Sequence, residues 1–105
     1  MSLANATLST SAVDVLTSAN AGGTAVVTII LFNNDTVTRT VDLHACPANE
    51  AQVEENQLLT VSIPAGDTFV LNDKLLLADT DTITALTGET NTTNSVACTI
   101  TYLDL

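Results

Sequence analysis

Between Leu58 and Leu86 the chain reads LLTVSIPAGDTFVLNDKLLLADTDTITAL, four short apolar runs separated by turn residues. None of the runs reaches the roughly ten residues that a helix needs, and β-branched and aromatic residues dominate them, so each reads as a strand. The succession predicts a β-meander. Ile63-Pro64-Ala65-Gly66 places Pro and Gly at the second and fourth positions, where a type I turn favours them. Asn72-Asp73 and Asp79-Thr80-Asp81 supply further turns. Leu75-Leu76-Leu77 cannot put all its side chains on one side of a strand, because successive residues point to opposite faces. Either both faces are covered there, or Leu76 is offered to a neighbouring chain.

The remainder extends the same pattern. Residues 4–16 carry Leu8, Val13 and Val15 among small polar residues, a weak strand or an extended arm that would occupy positions 1–16. Thr24 to Phe32 is almost continuously apolar, which marks a strand covered on both faces. Asn33-Asn34-Asp35 suits a tight hairpin, since Asn and Asp tolerate the left-handed backbone of such loops. From Val37 to Ala45 the alternation predicts an inward face of Val37, Arg39, Val41, Leu43 and Ala45 and an outward face of Thr38, Thr40, Asp42 and His44. Arg39 on an apolar face must reach a rim or find a carboxylate, because an unpaired buried charge is very costly. Pro47 ends that strand, residues 49–57 form a loop or one helical turn, residues 87–94 a polar loop, and residues 95–103 the last strand. Together these make residues 1–105 a single antiparallel β-sandwich, all-β, jelly-roll or immunoglobulin-like, of about eight short strands.

Charged residues are 13% of the chain, where about a quarter is usual, and Thr, Ser and Asn stand in their place. Neutral hydroxyls and amides are cheaper to bury against a neighbour than ions, which favours life inside an assembly. The formal net charge is −10, from 12 acidic and 2 basic residues, so nucleic acid and anionic membrane surfaces would repel this chain. The longest apolar stretch, Ala25 to Phe32, is interrupted by Thr28 and far too short to span a bilayer. Met1-Ser2-Leu3-Ala4-Asn5 has neither the basic nor the apolar part of a secretion signal, and synthesis in the cytoplasm is the expectation. Cys46 and Cys98 are too few for a zinc site, and Cys98, in register with Val96, Ile100 and Tyr102, reads as a small buried hydrophobe.

Little here can do chemistry. His44 is the only histidine, and on an outward strand face beside Asp42 and Thr40 it is a surface residue before it is a catalytic base. No apolar pocket is apparent that would raise the pKa of one carboxylate among Asp79, Asp81 and Glu89, as a glycosidase requires. Phe32, Phe69 and Tyr102 fall near core-facing positions, which leaves no stacking platform for sugars. Asp79 and Asp81 in a turn, with Glu89 and Asn91 in a nearby loop, offer hard oxygen ligands for calcium, but without the glycine and terminal bidentate Glu of an EF-hand loop. Acidic turns that merely face water are commoner. No enzyme activity, cofactor or metal is therefore expected. The three Asn-x-Thr triplets starting at Asn5, Asn34 and Asn91 are chance matches in a Thr-rich chain.

The order TAVVTIILFNNDT, PANEAQVEENQ, SIPAGDTFVLNDKLLLADTDTITAL and VACTITYLDL resembles the small β-sandwich virion proteins of tailed bacteriophages, from about Leu16 to Leu105. The resemblance lies in the order and spacing of elements, not in a catalytic signature. It implies a structural subunit of the virion, carried as a capsid decoration or cement protein, or on the tail, neck or fibre. It also implies a symmetric homo-oligomer, with a trimer among the options, and a larger partner such as the major capsid protein. Decoration is preferred to a tail role, because a small acidic domain can occupy many equivalent surface sites. A calcium- or carbohydrate-binding module is the competing class. Leu3, Leu8, Leu76, Leu103 and Leu105 are the candidate contact residues.

Overall fold

The computed structural model describes residues 2–8, 13–48, 54–87 and 96–105, with Glu54 and residues 84–87 described in their backbone only. Nine strands occur there: β1 (Ser2–Leu8), β2 (Val13–Thr17), β3 (Thr24–Asn33), β4 (Arg39–Cys46), β5 (Gln57–Ile63), β6 (Thr68–Leu71), β7 (Leu75–Leu77), β8 (Thr82–Thr87) and β9 (Val96–Asp104). One 3₁₀ turn, Glu54–Asn56, precedes β5. A front sheet runs β1-β9-β3 and then β6 and β7, which share the remaining edge of β3, and a back sheet runs β2-β8-β4-β5. All pairings are antiparallel.

The pairings nest. β4 meets β5, β3 meets β6 and β7, β2 meets β8, and β1 meets β9, each pair enclosing the one before it in sequence. Two further contacts, β3 with β9 and β4 with β8, join the nested pairs into the two sheets. This is the connectivity of a jelly roll, not that of an immunoglobulin domain. Because β6 and β7 occupy one strand position between them, the nine strands fill eight places.

Between the sheets lies one apolar core. Val26, Ile29 and Leu31 from β3, Val41 and Leu43 from β4, Ile83 from β8, Val96, Cys98 and Ile100 from β9 and Leu8 from β1 are fully buried. Each large side chain buried this way contributes roughly 1.5–3 kcal/mol. A β-bulge between Val26 and Thr28 inserts one residue into β3 and switches its inward set from Thr24 and Val26 to Ile29, Leu31 and Asn33. A second irregularity, between Asp14 and Leu16, lets the successive residues Val15 and Leu16 both point into the core.

Several expectations are corrected by this topology. The meander is absent: β5, β6 and β8 alternate between the two sheets, so the turn residues between them mark arches from sheet to sheet. The expected hairpin at Asn33-Asn34-Asp35 is likewise an arch from β3 to β4. Residues 2–8 are not a detached arm but an edge strand paired with β9 along its whole length, and Leu8 belongs to the core, which removes it from the candidate contacts. Val37 precedes β4 and is 48% exposed. Arg39 does find its carboxylate, donating from Nε to Asp35 Oδ2 at 2.8 Å. The hydrogen-bonded turn near Pro64 is displaced by one residue, running from Pro64 to Asp67 with Gly66 third at φ 71°, a type II requirement for glycine.

Asn33 ties the two arches of one end together. Its buried side-chain amide donates to the carbonyls of Val37 at 2.9 Å, Ile63 at 2.8 Å and Pro64 at 3.3 Å, while its Oδ1 accepts from Asp35 N at 2.9 Å. Its backbone N–H donates to Asp67 O at 3.0 Å and its carbonyl accepts from Gly66 N at 2.9 Å. Asn33→Asp turns an oxygen toward carbonyls that now receive hydrogen bonds, and Asn33→Ala leaves those carbonyls unmatched. Either change is expected to destabilise the chain by about 3 kcal/mol, whereas Asn34→Ala at the exposed neighbour shifts stability by less than about 0.5 kcal/mol. Urea unfolding of the three variants checks this.

Candidate interaction surface

The chemistry-bearing residues are dispersed. His44 continues the outward alternation of β4, yet it is only 8% exposed, contrary to its expected surface position. The 3₁₀ turn at Glu54–Asn56 lies near β4, directly ahead of its partner strand β5. The Nδ1 of His44 has no hydrogen-bond partner among the described residues. Asp42, two residues away, instead accepts from Thr60 Oγ1 at 2.7 Å. Among the described residues no carboxylate orients the ring through Nδ1, as the base-and-orienter pair of a hydrolase would require.

At the opposite end from Asn33, Asp81 serves the backbone: Oδ1 accepts from Ala48 N at 3.1 Å and Oδ2 from Ala78 N at 2.9 Å. Asp79 is exposed beside it. Glu89 and Asn91, the other calcium candidates, lie outside the described residues, and among the described residues no three His, Cys, Asp or Glu side chains are grouped to hold a metal. The turn that carries these acids, from Ala78 to Asp81, holds Thr80 at φ 71°, the left-handed position that glycine fills in the turn from Pro64 to Asp67. Nearby, an open groove of about 410 Å³ is lined by Gly22, Gly23, Leu76, Leu77, Asp79 and Leu105. Gly22 and Gly23 let the chain close there, since added Cβ atoms would stand 2.5 Å from Leu105 O and 2.8 Å from Leu77 O.

Cys46 and Cys98 are both buried and are not joined in a disulfide. Burial in the core pushes the Cys98 thiol from 9.0 up to about 12. Among the aromatics, Phe69 and Tyr102 pack against the core as expected, but Phe32 points outward and is 38% exposed.

Phe32 is part of a larger feature that sequence reasoning found only in Leu3, Leu76 and Leu103: the outer face of the front sheet. Register sets its rows. Leu103, Ala25 and Leu76 lie side by side across β9, β3 and β7, and Leu3, Thr101 and Thr28 form the next row across β1, β9 and β3. Asn5, Thr99, Ile30 and Val70 follow, then Thr7, Ala97, Phe32 and Thr68. Leu76 is 75% exposed, Leu3 64%, Val70 51% and Leu103 46%. No residue of these rows is charged. Asp104, the one ionisable carboxylate within the five strands, accepts from the buried Thr24 hydroxyl at 3.0 Å. Asp73 and Lys74 stand at the rim, in the link between β6 and β7. The signal for this face was the run from Ala25 to Phe32, apolar at both parities.

No family model matches the chain, and no curated protein is similar to it in sequence. A chain of the acidic stable capsid structure of Helicobacter pylori bacteriophage KHP30 superposes with a TM-score of 0.61 at 14% identity, over 99% of this chain and 93% of that one. At that identity the similarity is one of fold, and it spans both sheets. Among the described residues no helix is long and apolar enough to cross a membrane.

Thr80→Gly relieves a left-handed β-branched residue and is expected to stabilise the chain by about 1 kcal/mol, raising Tm by roughly 4–8 °C in a thermal scan. For Cys98, the folded state keeps its proton between pH 9.0 and about 12 while the unfolded chain loses it, so stability falls as pH rises through that window and is unaffected below it. The slope approaches about 1.4 kcal/mol per pH unit. Urea titrations between pH 8 and 11 are expected to show a steeper decline for the native chain than for Cys98→Ala.

Proposed function

We propose that this chain is a bacteriophage virion structural protein, a decoration or cement subunit bound to the outside of a capsid. The observation that carries the reading is the whole-length jelly-roll likeness to a chain of a phage capsid structure. It is supported by what the surface offers. An uncharged sheet face and hydroxyl-rich strands suit adhesion.

In this reading the subunit works by summing contacts. A decoration protein touches copies of itself and the shell beneath, and each added copy ties neighbouring shell subunits whose separation would break several contacts at once. Such linkage raises overall strength by orders of magnitude without any single strong contact. A chain with few charges on its strands loses little in desolvation when it is covered on several sides.

The test is made on purified particles of the phage that encodes the chain. The polypeptide is expected in fixed ratio to the major capsid protein, with density on the outer capsid surface in reconstructed images, and particles stripped of it are expected to release their genome at lower temperature. Density confined to the tail or fibre would replace the decoration role with a tail role. Absence from purified particles would defeat the virion reading altogether.

A further inference from the structure

The apolar run of β3 demands cover on both faces, and the fold supplies it on one. Its inward residues Val26, Ile29 and Leu31 are fully buried, while outward Ile30 is half-buried and Phe32 exposed. Around them the outer face of the front sheet gathers Leu3, Val70, Leu76 and Leu103, all exposed. The back sheet differs. Its outward residues include Asp14 and Asp42, and on β4 His44 and Cys46 are already buried.

We infer that the outer face of the front sheet is the surface on which a second copy of this chain packs. Charge selects that occupant. At a net charge of −10, two copies repel unless they meet where neither carries a carboxylate, and the rows from Leu103-Ala25-Leu76 to Thr7-Ala97-Phe32-Thr68 are such a place. A basic partner would gain nothing on this face and would be drawn instead to the acidic loops at the ends of the sandwich. The face also suits itself chemically: Thr and Asn side chains both donate and accept, so the polar groups of two such faces are able to pair with one another.

Its size is sufficient. Four strand positions at about 4.8 Å and up to ten residues at about 3.3 Å give a footprint on the order of 600 Å² in projection. Counted as accessible area over protruding side chains, this approaches the roughly 800 Å² per partner of a standard interface. The inference deepens the decoration reading by naming where self-association occurs, and rests on that reading only for its setting on a particle.

The experiment is light scattering and sedimentation of the full chain from about 5 to about 500 µM. The native chain is expected to show a mass of at least twice 10.9 kDa at the upper end. Val70→Glu and Leu103→Glu, each adding a carboxylate to the face without touching the core, are expected to weaken association at least 100-fold. Val70→Thr and, on the back sheet, Ser62→Glu are expected to leave it within about threefold, and thermal scans establish that all four variants fold. Raising salt from about 50 to about 500 mM is expected to strengthen native association, because it screens the shared negative charge. A native chain that stays monomeric throughout would overturn the inference, as would Ser62→Glu dissociating the oligomer as strongly as Val70→Glu, or salt weakening it. The particle reading fails separately: a monomer found on capsids sinks this inference alone, whereas an oligomer built on this face yet missing from particles sinks the other.

Discussion

The fold turns on a buried amide. Strand pairing alone would let β3 and β4 run as neighbours, since both are long, apolar on at least one face and joined by a short link. Asn33 prevents this by committing its side chain to three carbonyls on two different crossings, at Val37 and at Ile63-Pro64. With those crossings fastened together, the chain must pass from one sheet to the other at each of them. Everything outside the β4-β5 pair then nests around it. A hydrogen bond of this kind is worth little relative to water, but each unmatched buried group is expensive, so the site acts chiefly by penalising every other arrangement.

The opposite end is closed by the backbone and by small residues. Asn20 donates from Nδ2 to Gly23 O at 3.0 Å and to Leu105 O at 2.7 Å, and Leu105 N returns a bond to Gly23 O at 3.0 Å. Ser18 and Thr24 exchange a buried hydroxyl contact at 2.8 Å, with Thr24 reaching on to Asp104. Carboxylates recur in both ends as acceptors: Asp35 for Arg39, Asp81 for two backbone N–H groups, Asp104 for Thr24. Some of the acid is therefore structural. Its concentration in arches and turns leaves the strands nearly free of charge.

The strands themselves were legible because alternation and β-branching are local properties, and Arg39 was legible because burying a lone guanidinium is forbidden anywhere. The connectivity was not. Asn-Asn-Asp and Pro-Ala-Gly-Asp bend a chain equally well into a hairpin or an arch, and only the distant partners of Asn33 decide between them. His44 was misjudged for a related reason: alternation gave its face correctly but could not tell that this part of the outward face of β4 is buried. Phe32 failed through the bulge at Val27, which shifts the phase of β3 by one residue and sends the ring outward. Of the contact candidates, Leu76 was readable from a triplet that no strand can bury on one side, whereas Leu8 was not separable from Leu3 by composition alone.

An exposed apolar face normally threatens solubility, and the arrangement of this one limits the threat. Thr28, Thr99 and Thr101 interleave the face, and the Thr28 hydroxyl donates to Asn72 Oδ1 at 2.9 Å, so the apolar area is broken into separate clusters around Leu76-Leu103 and around Ile30-Val70-Phe32. Patches of a few hundred Å² are ordinary on monomers and do not aggregate on their own. A random collision covers one cluster and leaves the acidic ends of the two molecules to repel. Only a full face-to-face registry covers both clusters together while keeping the carboxylates apart, so the same charge that opposes association in general favours one geometry of it in particular.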